Sequence, residues 1–142
     1  MADKYDALKL ENQLCFPLYA CAREVVKRYR PFLDEIGLTY TQYVTMMVMW
    51  EHKTIKSKEM GTLLHLDSGT LTPVLKALDE KGLVTRSRGA DKRNLDVTLT
   101  DAGEALKEHA VEVPAKMGAC LDIELDDAIK LSEILNKLLK SF

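Results

Sequence analysis

"LDSGTLTPVLKALDEKGLVTR", residues 66–86, is the stretch that decides the fold. Asp67 or Ser68 can cap a helix, because a side-chain oxygen there accepts an unpaired N–H of the first turn. Leu71, Val74, Leu75 and Leu78 then recur at i, i+3, i+4 and i+7, one apolar stripe of a helix. Gly82 stands just past the end, where a left-handed residue stops a helix. Pro73 falls in the first turns, where a missing N–H costs little. Upstream, Ser57 can cap a short helix over 58–64, which "HLDSG" then breaks. Two short helices joined by a tight turn follow from these signals. Downstream the period drops to two. "LVTRSR" and "NLDVTLT" are β-like runs, and Leu95, Val97 and Leu99 alternate with polar neighbours as in a half-buried strand. "GADKR" supplies the turn of a hairpin with a charged tip. A helix–turn–helix followed by a β-hairpin is a winged helix.

The flanks read as helices. A first helix is expected over 8–29, kinked at Pro17, with a break over 30–39 that Pro31 begins and Gly37 closes. Thr39 or Thr41 can cap "TQYVTMMVMWEH", which is apolar nearly all round and so central. Thr100, with acids after it, starts another helix that Pro114 interrupts. A last helix over 126–141 carries Ile129, Leu131, Ile134, Leu135, Leu138 and Leu139, a wider apolar face than one small domain needs. The fold class expected is mainly α with a small β wing. The winged helix–turn–helix is assigned to 39–100, and helical dimerisation regions to 1–38 and 101–142.

Composition narrows the function. The 142 residues suffice for one domain with a real core. The polar N-terminus is unlike a signal peptide, no apolar run could span a bilayer, and three cysteines cannot all pair in one chain. A reducing, cytoplasmic setting with free thiols, and no membrane partner, is expected. Net charge is −2, yet residues 76–94 hold six basic and three acidic side chains, a local +3, whereas 101–142 hold five basic against nine acidic. A basic segment in an acidic chain suits an anionic partner. His52, His65 and His109 match no metal-ligand spacing, and no phosphate loop or nucleophile triad occurs, so no metal, cofactor or enzyme activity is expected.

The second helix of a helix–turn–helix reads the DNA major groove from its N-terminal end. Ser68, Thr70 and Thr72 there are short hydrogen-bonding groups, and the threonine methyls suit thymine. Lys76 can reach phosphate or guanine, and Arg86 phosphate. Arg93 at the hairpin tip suits a narrow, electronegative minor groove. Asp91 can hold its guanidinium.

Taken together, "LDSGTLTPVLKALDEKGLVTR" and "DKRNLDVTLTDAG" resemble the MarR family of bacterial transcription regulators. The resemblance implies an interlocked homodimer, joined through its N- and C-terminal helices, that represses from a pseudo-palindromic operator in double-stranded DNA. It implies DNA-reading roles for Ser68, Thr70, Leu71, Thr72, Lys76, Arg86, Asp91 and Arg93. "KLENQLCFPLYACARE" and "WEHKTIKSKEMG" resemble the OhrR branch, the organic-hydroperoxide-sensing repressors. Pro17 stands where that branch would be expected to place an ordinary helix former. The branch's reactive cysteine falls on Cys15 and its supporting tyrosines on Tyr29 and Tyr40, arriving from the partner subunit. Tyr19, four residues on, shares a helical face with Cys15.

A thiolate is the form that attacks a peroxide, and tyrosine hydroxyls are suitable donors to hold it. Local sequence alone would make Cys15 an inert buried thiol; the match with three tyrosines favours a sensor. Cys21, about 240° around the helix from Cys15, reads as buried filling. The resemblance leaves two ways to reseal an oxidised Cys15: Cys120 of the opposite subunit, or a low-molecular-weight thiol. Two rivals remain: a repressor released by a small aromatic or phenolic ligand, and a thiol peroxidase.

Overall fold

A computed structural model describes residues 3–89 and 94–142. The order is α1 (Cys15–Asp34), α2 (Tyr40–His52), β1 (Thr54–Lys56), α3 (Ser57–Leu64), α4 (Ser68–Glu80), β2 (Val84–Arg88), β3 (Leu95–Leu99), α5 (Asp101–Ala110), α6 (Val113–Cys120) and α7 (Leu125–Leu139). The helix–turn–helix is α3–α4 and the wing is β2–β3, as the sequence predicts. Asp67 caps α4 by accepting the Thr70 N–H at 2.7 Å. Gly82, at φ +74, ends it: Leu83 N–H donates to Leu78 O at 3.0 Å and Gly82 N–H to Asp79 O at 2.9 Å, a Schellman closure.

Four expectations change. The first helix starts at Cys15, not Leu8; two 3-10 turns, Asp6–Leu8 and Leu10–Asn12, precede it. Pro17 is therefore the third helical residue, whose N–H would be unpaired anyway, and it needs no kink. Pro31 does not break the chain but lies inside α1, which runs on to Asp34 before Gly37 turns it at φ +69. Ser57 is not a cap; Lys56 is, and the Ser57 hydroxyl instead donates to Asn94 Oδ1 at 3.0 Å and accepts the Leu95 N–H at 3.1 Å. That clasp fixes the base of the wing to the start of α3. Finally, β1 adds a third strand, giving the antiparallel order β1-β3-β2 with Ile55 opposite Val97.

The core gathers around α2. Tyr43, Met46 and Met49 meet Leu33 of α1, Met60 of α3, Leu71, Leu75 and Leu78 of α4, and Val84 and Val97 of the sheet. Thr39 and Gln42 form a reciprocal capping box on α2, at 3.3 and 3.1 Å. Trp50 Nε1 donates to Gly103 O at 2.9 Å, seating α5 on α2. A Cβ at Gly103 would run into the Leu83 carbonyl oxygen and come within 2.6 Å of Leu99 Cδ1. Gly103→Ala is therefore expected to lower stability by about 1–3 kcal/mol in urea unfolding, as overpacking does. An unchanged midpoint would contradict that close approach.

The ends of the chain are different. No residue of α7 is buried, and Leu125 and Ile134 are 73% and 63% exposed. Leu8 and Leu14, at the other terminus, are 78% and 82% exposed. Among the described residues no helix is long and apolar enough to cross a membrane.

Candidate sensor and nucleic-acid interface

Cys15 opens α1, and its side chain is exposed. Tyr19, one turn on, is 60% exposed, and the Arg23 guanidinium lies 5.3 Å from its ring centroid. The i+4 spacing of Tyr19 and Arg23 was the signal for that cation–π contact, which sequence reasoning did not use.

The other tyrosines lie elsewhere. Tyr29 is fourteen residues after Cys15 on the same helix, about 21 Å along its axis. Tyr40 starts α2, with its ring centroid 5.0 Å from that of Tyr29. A third ring, overlooked in the sequence, completes the cluster: Tyr43, 1% exposed, lies 5.9 Å from Tyr29 and 6.4 Å from Tyr40. In the sequence Tyr43 is one more residue of an apolar helix, although its i+3 spacing from Tyr40 puts both on one face. Burial, and then the neighbouring Tyr29 and Tyr40, push the Tyr43 hydroxyl up to about 12. Burial also raises Tyr29, with Tyr40 adding to the effect. Both stay protonated near neutral pH and so act as hydrogen-bond donors.

Cys21 is exposed, not buried as expected, because α1 packs on the rest of the protomer only through its C-terminal half; Leu33 is its one buried residue among those described. Cys120 ends α6, and its carbonyl lies 3.4 Å from the Arg28 guanidinium. Arg28 is about 20 Å along α1 from Cys15, so a bond to Cys15 within one protomer is out of reach of disulfide geometry.

Along α4, Ser68, Thr70, Thr72 and Lys76 are exposed. Leu71 is not. It is 3% exposed and packs in the core with Leu75 and Leu78, so the apolar stripe prevails over a base-reading role. The Thr72 hydroxyl donates to Ser68 O at 2.6 Å. Arg86 is engaged as well: its Nε donates to Asp79 at 2.9 Å, which braces β2 against α4. Arg88, one pleat further on, is exposed. Asp91 and Arg93 lie outside the described residues. Among those described, no group of histidine, cysteine and acidic side chains is placed to hold a metal.

A family model described as transcriptional regulator SarA/Rot matches residues 27–110. The organic hydroperoxide resistance transcriptional regulator of Bacillus subtilis is 45% identical over 142 residues, covering 99% of this chain and 97% of that one. The chain belongs to the MarR family of winged-helix regulators, in its organic-hydroperoxide-resistance branch. Among solved structures, reduced AbfR bound to DNA is 36% identical with a TM-score of 0.79, covering 98% of each chain; AbfR has been solved from Staphylococcus epidermidis. The disulfide-formed AbfR structure is 34% identical with a TM-score of 0.62, covering 97% of this chain and 92% of that one.

In this MarR-family chain the cap of α4 is also an acid-sensitive element. The Thr70 N–H holds the Asp67 carboxyl below its ordinary 3.8. A depressed folded-state value adds stability above the unfolded value, and that stability is lost as pH falls through the folded one. Asp67→Asn keeps a capping oxygen but does not titrate. Urea unfolding between about pH 5 and about pH 3 should therefore fall less steeply in Asp67→Asn than in the native chain. Equal slopes would contradict this role for Asp67.

Proposed function

We propose that this chain is a homodimeric DNA-binding repressor that senses organic hydroperoxides through Cys15 and releases its operator when Cys15 is oxidised. One observation carries the reading. An exposed thiol with Tyr19 sits at one end of α1, and a cluster of three tyrosine rings, Tyr29, Tyr40 and Tyr43, sits about 21 Å away at the other. A second copy crossing α1 in the opposite sense joins the two half-sites, twice over, by two-fold symmetry. The bare apolar faces of α7 and the N-terminal turns argue for that copy, since each leucine fully covered contributes about 1.5–3 kcal/mol.

The chemistry follows from the groups present. Tyr29 and Tyr40 of one protomer, with Tyr19 of the other, donate to the Cys15 thiolate. The thiolate attacks one peroxide oxygen, the O–O bond breaks, and the alkoxide leaves, taking up a proton to become the alcohol; sulfur ends as the sulfenic acid. A thiol then attacks that sulfur, giving a disulfide and water. Either Cys120 of the partner or a small thiol supplies it. Ser68, Thr70, Thr72 and Lys76 on α4, with Arg88 at the wing, face the DNA. Thr70 and Thr72 read bases, while Lys76 and Arg88 neutralise phosphate.

The test follows one sample in two ways: intact mass at Cys15, and binding to a duplex selected from a random pool by the reduced protein. Stoichiometric oxidation of Cys15 with loss of binding is expected. Release without oxidation of Cys15, or catalytic turnover of peroxide with DNA still bound, would contradict the reading. Under non-reducing conditions, a covalent dimer lost in Cys120→Ser assigns resealing to Cys120, and a monomeric mixed disulfide assigns it to a small thiol.

A further inference from the structure

A polar link joins the reading helix to the tyrosine cluster. Lys81, the C-cap of α4, sends its ammonium to the Gly37 carbonyl at 2.6 Å and to Gln42 Oε1 at 2.8 Å. The same Gln42 oxygen accepts the Thr39 N–H at 3.1 Å in the capping box of α2. Gln42 is 8% exposed. Between these acceptors stands Tyr40, the first residue of α2, and Tyr43 lies one turn further on. Lys81 is itself exposed, but its ammonium is engaged by two acceptors of the protein.

Resting on the sensor reading above, we propose that Lys81 is the positioning residue that couples the tyrosine cluster to the recognition helix. Apolar packing between α2 and α4 resists separation but gives little directional hold. A charge-assisted bond to two fixed acceptors is directional. Gly37 and Gln42 flank Thr39 and Tyr40, so a displacement of Tyr40 that follows a change at Cys15 carries both acceptors of Lys81 with it. The C-terminal end of α4 follows. The helix has 13 residues and is about 20 Å long, so a small shift at Lys81 becomes a larger one at Ser68 and Thr70. Lys81 touches neither the thiol nor the exposed groups that read DNA, so its effect falls on the coupling between them.

Two variants of the full-length dimer test this. Lys81→Met keeps the stem and removes the ammonium. Gln42→Glu keeps acceptors for both Thr39 and Lys81, and Glu is the ordinary partner of a threonine cap. Three readouts are taken with cumene hydroperoxide and the selected duplex: affinity when reduced, rate of Cys15 sulfenic acid formation by mass, and affinity once oxidised. Lys81→Met should bind as the native chain does when reduced and oxidise at the native rate. Its loss of affinity on oxidation should be smaller than the native loss by about 2- to 30-fold, so that its oxidised-to-reduced affinity ratio rises towards one. Gln42→Glu should keep the native ratio. A native ratio in Lys81→Met at equal oxidation would overturn the proposal. So would loss of binding by the reduced variant, since Lys81 would then simply hold the head together. A native chain that oxidises without releasing DNA fails in its own arm, and overturns the sensor reading together with this inference.

Discussion

A Cys15→Ser protein will bind the selected duplex as the native reduced chain does, and will stay bound through hydroperoxide that releases the native chain. Cys15 is exposed, so replacing sulfur with oxygen leaves the core and the reading head untouched. Serine has no accessible thiolate and cannot form a sulfenic acid, so the covalent trigger is removed outright. The native dimer should lose about 5- to 150-fold in affinity on oxidation, the usual span of coupling between two sites. Serine should lose none. Release of both proteins at the same peroxide level would mean the signal enters elsewhere, as in a dimer opened by an aromatic ligand.

Ile134→Glu should produce a folded monomer with badly weakened DNA binding. Ile134 is 63% exposed in the protomer and α7 contributes nothing buried, so a carboxylate there costs the protomer's own fold little. In a dimer that covers this face the same carboxylate would be desolvated without a partner, which strongly disfavours association. A palindromic site binds two reading helices at once. Losing the second removes the effective-concentration advantage, about 10²- to 10⁴-fold in affinity. Sedimentation and far-UV circular dichroism should report a monomer with native helix content. A dimer with native affinity would place the subunit interface elsewhere.

Much of this architecture is legible in the chain because local signals agree with the tertiary result. The i, i+3, i+4, i+7 stripe of α4, its Asp67 cap and its Gly82 stop all act within one helix. The alternation of Leu95, Val97 and Leu99 acts within one strand. What was misread depends on contacts distant in sequence. β1 has three residues, too few for a period, and exists because β3 offers it an edge. Pro31 looks like a breaker, yet Leu33, two residues later, is buried and holds the last turns of α1 in place. Ser57 looks like a cap until Asn94 claims its hydroxyl from 37 residues away. Leu71 matches a reading-helix motif and a core stripe at once, and burial decides for the stripe. Tyr29 and Tyr40 were assigned by resemblance alone. Their tilted ring contact is a packing fact, and it reveals Tyr43 beside them.

The central claim is that each Cys15 is served by the tyrosines of the other protomer. Mixed dimers test it most directly. One parent carries Cys15→Ser with all tyrosines intact; the other keeps Cys15 and carries Tyr29→Phe and Tyr40→Phe. Neither parent dimer contains a complete sensor, whichever way the site is assembled. In a mixed dimer, a site built across subunits is complete once, because the surviving Cys15 meets the surviving tyrosines. The account predicts that mixed dimers form Cys15 sulfenic acid at a native-like rate while the Tyr29→Phe, Tyr40→Phe parent stays slow. If mixed dimers oxidise no faster than that parent, the tyrosines do not reach across the interface, and the account is wrong.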